Sequence, residues 1–377
     1  MYNMSQISKA INAQLEANIL ADVRTQPSID ILLTDSRNLT YPEVTLFFAL
    51  VTAKGDGHKY ISQLYKQGVR AFVVNRTPED FEETCPEAWL LVVKNTLKAL
   101  QSLAAFHRIC FSVPVVGITG SNGKTIVKEW LYQLLHDTKD VVRSPRSYNS
   151  QIGVPLSVWQ LHKGTELAIF EAGISQVGEM ENLEPIIRPT IGVLTNVGSA
   201  HDAGFENLRH KLLEKLQLFK HCKVLIYNAD IPDIDKALKK AEIGAKSLSW
   251  TLNGNDAEIV VDNIEHTESS STISYNYAGK SGQFTINMTD DASIENALNC
   301  LALMLYLGET SEEIGKGMQK LAPLAMRLEV VEGKRGCLII NDAYSCDLTS
   351  LEMALQFQSR RASKSLRNTL ILSDMLQ

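Results

Sequence analysis

The strongest chemical signal in this sequence is Gly117-Ile-Thr-Gly-Ser-Asn-Gly-Lys-Thr125, between an apolar run and a helical pattern. Glycines there let the backbone N–H groups of Gly120, Ser121, Asn122 and Gly123 come close to phosphate oxygens. The helix that follows directs its positive dipole end at the same anion. Lys124 would neutralise the β- and γ-phosphates, and Thr125 would hold magnesium (Mg2+) through its hydroxyl. The spacing departs from the strict phosphate-loop pattern, because Ile118 occupies the first glycine position. The bland alternative is a Gly-rich turn with a chance Gly-Lys-Thr; the strand–loop–helix context argues against it. The loop does not name a reaction, since kinases, GTPases and ligases share it.

Other residues could complete such a site. Glu171 ends the apolar run Leu167–Phe170 and leads into Ala-Gly. That places a hard oxygen ligand at the carboxyl edge of a sheet, where ligands of these folds bind. A solvated strand-end carboxylate is the alternative. His201 also follows a strand, but imidazole is an unusual magnesium ligand, so on residue type alone it reads as a surface-loop histidine. Lys211, Lys215 and Lys220 lie on one helical stretch, where exposed lysines are the rule. Ser36-Arg37 could meet phosphate through paired guanidinium bonds, or form a capped turn with a surface ion pair. Tyr148-Asn149-Ser150 could bind substrate or be an Asn/Ser turn. Arg327 and Asp342 flank a domain junction, as nucleotide ligands or as a hinge ion pair. Arg360, Arg361, Lys364 and Arg367 read as a solvated helix end that complements the dipole.

These groups need a frame. Ile7, Ile11, Leu15 and Ile19 recur every four residues, which predicts an amphipathic helix at the N-terminus. Residues 29–75 alternate short β-like runs with a helical stretch and end in Arg70–Val74. A helix over Thr96–Ile109 leads into the buried strand Val113–Thr119. Strands follow at Leu167–Phe170, Ile191–Asn196 and Lys223–Tyr227, with helices at Asn207–Lys220 and Asp233–Ala241. Such alternation predicts an α/β fold with a parallel, doubly wound sheet. From Ala257 to Met288, short polar strands with Ser/Gly turns suggest an antiparallel edge. Helices are expected at Ser293–Leu307, Ser311–Leu321 and Leu348–Ser359, and strands at Cys337–Asn341 and Thr369–Leu372.

Composition narrows the function classes. The chain has 377 residues, 45% hydrophobic and 21% charged, with net charge -6. That is an ordinary globular profile for two or three domains, and it argues against nucleic acid as a partner. The apolar run near Val44–Val51 is far too short to insert in a membrane. The N-terminus lacks a signal peptide's apolar stretch. Six scattered cysteines without C-x-x-C read as reduced thiols in a cytoplasmic protein.

With its variant first glycine, Thr119-Gly-Ser-Asn-Gly-Lys-Thr125 resembles the ATP loop of the Mur ligases, which join a carboxylate to an amine with ATP cleavage. The resemblance covers nearly the whole chain, in order. Thr34-Asp-Ser-Arg37, Leu46-Phe-Phe-Ala-Leu50 and Gly55-Asp-Gly-His58 resemble the UDP-sugar-binding N-terminal domain. Tyr148-Asn-Ser-Gln-Ile-Gly-Val-Pro155 resembles the substrate loop of the dipeptide-adding branch. Phe170-Glu-Ala-Gly-Ile-Ser-Gln-Val-Gly-Glu179 and Thr195-Asn-Val-Gly-Ser-Ala-His201 resemble the acidic and histidine motifs of the central domain. Arg327-Leu-Glu and Asn341-Asp-Ala-Tyr344 resemble the entry to the C-terminal domain.

The resemblance implies a three-domain architecture: 1–97 for the UDP-sugar, 98–324 as the central phosphate-loop domain that binds ATP, and 325–377 as the start of a Rossmann-like ligase domain. It implies ligation of D-alanyl-D-alanine to UDP-N-acetylmuramoyl-tripeptide through an acyl phosphate. Ser36 and Arg37 would meet the uridine diphosphate, and Tyr148, Asn149 and Ser150 the muramoyl-peptide. Asn296, Arg327 and Asp342 would meet the nucleotide. Glu171 and His201 would hold magnesium together with Lys215, fourteen residues after His201 and carbamylated in the family. Lys211 and Lys220 are expected to be solvated.

Two departures stand out: Ser345-Cys-Asp-Leu348 replaces the common Asn-Ala-Asn-Pro, and Ala292 replaces a frequent histidine. With the ending Leu370–Gln377, they resemble the ligase half of bifunctional ligase–alanine racemase proteins. Two strands and one helix in roughly fifty residues bury little core alone, so the last domain is expected to be incomplete here and the chain not to ligate by itself. Rival readings are another Mur-type ligase, a folylpolyglutamate- or cyanophycin-like ligase, or a catalytically silent nucleotide-binding scaffold.

Overall fold

A computed structural model describes residues 1–18, 21, 26–53, 55–198, 204–324, 329–334, 337–343, 348–361 and 368–372. They fall into two units. One is Met1–Ser112 with Tyr148–Lys163 and Pro185–Ile187; the other is Val113–Ser147 with Gly164–Glu184 and Arg188–Gln377.

The first unit holds a five-stranded sheet in the order Gln14–Ala17, Trp89–Val92, Ala71–Val74, Thr45–Phe48, Ile31–Leu33. Only the Gln14–Ala17 edge is antiparallel. The middle strands are apolar along their length because both faces are covered. Leu46 and Phe48 join a core with Met4, Ile7, Leu100 and Leu103, while Phe47 joins the opposite core with Ile61 and Phe72.

The N-terminal helix is shorter than its periodicity predicts. A capping box between Asn3 and Gln6 starts it at Met4, and it stops at Ile11, where Asn12 turns left-handed with φ 50°. Asparagine tolerates that conformation and closes helices this way. Leu15 therefore belongs to a strand, opposite Leu91. Ile19 lies outside the described residues.

The second unit is built on nine strands in the order Val141–Arg143, Leu167–Glu171, Val115–Thr119, Ile191–Leu194, Val224–Asn228, Lys246–Thr251, Ile259–His266, Ser271–Tyr277, Lys280–Ile286. The first seven run parallel, and the last two turn antiparallel, as the polar strand pattern predicts. Ile118 pairs with Glu171 and Thr119 with Leu194, so the loops after those three strands leave at one edge of the sheet. The helices Lys124–Leu135 and Asp291–Leu307 pack together on that sheet. Trp130, 2% exposed, anchors the contact layer and donates from Nε1 to Ala322 O at 3.0 Å.

Farther along, Glu329–Glu332 and Leu338–Asn341 form an antiparallel two-stranded ribbon, followed by the helix Leu348–Arg361. Among the described residues the strand expected at Thr369–Leu372 does not form: no described strand pairs with it, and a strand needs a partner for its N–H and C=O groups. Leu338, Ile339, Leu370 and Ile371 are 45, 48, 52 and 91% exposed.

Candidate nucleotide and ligation site

The phosphate loop joins the strand Val115–Thr119 to the helix Lys124–Leu135. Gly120 and Gly123 have φ of 153° and 82°, where side chains are strained. A Cβ on Gly120 would collide with Thr195 Oγ1, and one on Gly123 with Asn296 Oδ1. The loop is braced from the next strand. Ser121 N–H donates to Asn196 O at 3.0 Å, Asn122 N–H to Asn196 Oδ1 at 2.9 Å, and Thr195 Oγ1 to Asn122 O at 2.5 Å. Two of the four N–H groups expected to face phosphate are thus engaged by Asn196. The helix itself begins at Gly123 with no side-chain cap, so its dipole end and first-turn N–H groups suit an anion. Lys124 Nζ lies over the loop and donates to Gly120 O and Ser121 O, each at 2.8 Å.

Thr125 and Glu171 meet at the start of this helix. Thr125 Oγ1 is 2.9 Å from Glu171 Oε2 and 2.9 Å from Ser147 Oγ. Glu171 is fully buried at the end of its strand, not solvated. A hydroxyl and a carboxylate in contact beside a phosphate loop are the hard-oxygen pair that magnesium takes. Among the described residues no three His, Cys, Asp or Glu side chains gather to hold a metal. The pair therefore fits a cation that keeps phosphate and water among its ligands.

Lys215 is not an exposed helix lysine. It is 2% exposed, and its Nζ donates to Gly120 O at 2.9 Å. Burial, followed by the positive charges of Lys124 and Lys211, holds its ammonium well below the ordinary lysine range. A neutral amine is the form that adds carbon dioxide. Lys211 corrects the sequence reading: it is 1% exposed, and its Nζ donates to Gly198 O at 2.6 Å. Residues four apart share a helix face, so Lys211 and Lys215 turn together toward the loop. That spacing was the available signal. Lys220 is exposed, as expected.

The remaining candidates divide. Asn296 is 5% exposed and lies against Gly123. Asp342 follows the strand Leu338–Asn341 and is half-buried. His201 and Arg327 lie outside the described residues, as do Lys364 and Arg367. In the first unit, Asp35 caps the Ser36–Asn38 turn and pairs with Arg37 at 2.6 Å. The capped-turn reading is thus correct locally, yet Ser36 and Arg37 also line a cleft of about 470 Å³ with Thr40, Gln63 and Gln67. Tyr148, Asn149 and Ser150 also belong to the first unit, and Ser150 Oγ accepts from Gly153 N–H at 3.2 Å.

Next to Asn296, burial pushes the Glu295 carboxyl up to about 7, with Asp291 and Asp230 adding repulsion. The folded protein therefore favours the protonated acid. Stability is fully present below the ordinary value of 4.5 and is lost as pH rises through about 7. Glu295→Gln should raise the melting temperature by roughly 5 °C near pH 8 and leave it nearly unchanged near pH 5. Thermal melts at both pH values check this; an equal shift at both would remove the titration argument.

The Mur ligase middle domain model matches residues 118–304. A Bacillus subtilis (strain 168) protein named UDP-N-acetylmuramoyl-tripeptide--D-alanyl-D-alanine ligase is 31% identical over 347 residues, 91% of this chain and 73% of its own length. Its Escherichia coli (strain K12) namesake is 28% identical over 358 residues, 94% of this chain and 75% of its own. MurF from Acinetobacter baumannii superposes with TM-score 0.85 at 24% identity, over 96% of this chain and 77% of that one. MurF ligase from Thermotoga maritima, in complex with ADP, gives TM-score 0.75 at 25% identity, over 88% and 74%.

Proposed function

The chain belongs to the Mur ligase family, and we propose that it is the ATP-dependent ligase that adds D-alanyl-D-alanine to UDP-N-acetylmuramoyl-tripeptide, yielding the peptidoglycan pentapeptide precursor, ADP and phosphate. The observation that carries the reading is the convergence of Lys124, Thr125, Glu171 and Lys215 on one phosphate loop at the carboxyl edge of the sheet. The names of the relatives supply the substrates.

An amide cannot form directly from a carboxylate, because oxide is a poor leaving group. ATP phosphorylates the tripeptide carboxylate, the dipeptide amine attacks the acyl phosphate, and the tetrahedral intermediate collapses with loss of phosphate. The phosphoryl step needs charge neutralisation and alignment more than covalent help. Lys124 exchanges its carbonyl acceptors for β- and γ-phosphate oxygens, and the helix N-terminus faces the same charge. Magnesium, when bound, neutralises phosphate charge; Thr125, Glu171, His201 and Lys215 as its carbamate would hold it. Asn296, Arg327 and Asp342 take the nucleotide, Ser36 and Arg37 the uridine diphosphate, and Tyr148, Asn149 and Ser150 the muramoyl-peptide. We place the enzyme in the cytoplasm, where these nucleotide substrates are made; no helix among the described residues is long and apolar enough to cross a membrane. The proposal extends to a covalently attached alanine racemase domain, supported by the Ser345–Leu348 and Leu370–Gln377 resemblance.

A coupled phosphate-release assay on the full-length protein tests the reading. Release is expected with UDP-muramoyl-tripeptide and D-alanyl-D-alanine together, and at most background with single amino acids. Release with UDP-muramoyl-dipeptide and a diamino acid would assign the protein to another ligation step. ATP binding without release on any precursor would support the silent scaffold.

A further inference from the structure

Lys128 is fully buried, yet nothing in the ligation chemistry above uses it. A lysine ammonium has three N–H donors, and each finds an acceptor inside the protein. Nζ donates to Ser144 O at 2.7 Å and to Arg146 O, and lies 3.1 Å from Glu129 Oε1. Glu129 is held in turn by Arg143 Nε at 3.0 Å, and the Arg143 guanidinium stacks 3.5 Å over the Tyr132 ring. Burying a charge is costly unless it is fully paired, and an apolar side chain would fill the same space. The charge therefore has a use in what it grips.

It grips the turn Ser144–Ser147. Arg146 sits at φ 50°, a left-handed conformation unfavourable for arginine, with its carbonyl turned onto the ammonium. The next residue, Ser147, brings its Oγ to 2.9 Å from Thr125 Oγ1. Ser144 Oγ accepts from Glu171 N–H at 3.3 Å. Thr125 and Lys128 are three residues apart on one helix face, so a single face holds the turn at both ends. The chain then runs directly into Tyr148-Asn149-Ser150.

We propose that Lys128 is a positioning residue for ligation: it locks the Ser144–Ser147 turn and through Ser147 orients the Thr125 hydroxyl beside Glu171. The inference rests on the ligase reading for its kinetic consequence, but not for its structural one. Two measurements on Lys128→Met separate them. Amide hydrogen exchange over residues 144–150 should accelerate at least about tenfold, with the strand Val115–Thr119 unchanged. In the phosphate-release assay, kcat should fall about tenfold, while KM for ATP moves less than about threefold. Ser147→Ala, which removes only the link to Thr125, should lower kcat about fivefold with an unchanged melting temperature, and it serves if Lys128→Met does not fold. Unchanged exchange over 144–150 in Lys128→Met, or full activity in Ser147→Ala, overturns the proposal. A wild-type protein that releases no phosphate overturns the ligase reading instead, and the exchange result still decides the role of Lys128.

Discussion

Lys124→Ala is expected to lower phosphate release at least about a thousandfold, the scale on which charge clamps act in phosphoryl transfer. The loop has other neighbours for its backbone. Gly120 O still accepts from Lys215 Nζ, and Ser121 and Asn122 remain bonded to Asn196. The fold should therefore survive, with a melting temperature within roughly 2 °C of wild type for a surface-proximal truncation of this kind. What disappears is the Lys124 ammonium over the loop, and with it the charge that neutralises the phosphates. Lys124→Arg should recover little, because a planar fork does not replace a compact ammonium. Near-normal turnover in Lys124→Ala, measured by phosphate release beside a thermal melt, would remove the phosphate-loop assignment.

Lys215→Ala is expected to be nearly inactive as well, by at least about a hundredfold, but for a different reason. In the free protein this lysine is buried, with its ammonium form disfavoured by desolvation and by Lys124 and Lys211. A plain ammonium there would repel magnesium, whereas a carbamate offers two anionic oxygens. Two consequences follow from that chemistry. Exhaustive removal of bicarbonate should slow the wild-type enzyme, and short carboxylic acids such as acetate or propionate should restore part of the activity of Lys215→Ala. Lys215→Met, which fills the cavity, should be as inactive as the alanine variant. Indifference of the wild type to bicarbonate, combined with no rescue by any short acid, would leave Lys215 as a structural lysine.

Much of the central unit was legible because its physics is local. Apolar runs such as Leu167–Phe170 and Lys223–Tyr227 announce strands buried on both faces. Gly120, Gly123, Lys124 and Thr125 form a contiguous motif, so their placement needed no tertiary information. The failures were tertiary. Leu15 fits a helical repeat, but only the pairing with Leu91 makes it a strand residue. Thr369–Leu372 has strand-forming residues and, among the described residues, no strand beside it. Lys211 reads as solvated and Lys128 carries no motif of its own, because buried lysines are rare. Their burial depends on the turn at Ser144–Arg146 and on Gly198, segments distant from them in sequence.

The central claim is that ATP activates the tripeptide carboxylate before the dipeptide amine attacks. It is tested most directly by labelling that carboxylate with oxygen-18 in UDP-muramoyl-tripeptide. The full-length protein is then given ATP and D-alanyl-D-alanine, and both products are read by mass spectrometry. An acyl phosphate transfers one carboxylate oxygen to the departing phosphate, so the account predicts labelled inorganic phosphate in equal amount to a UDP-muramoyl product heavier than the labelled substrate by the dipeptide less one oxygen-18 water. Unlabelled phosphate, or phosphate released while the muramoyl-peptide stays unextended, would contradict it.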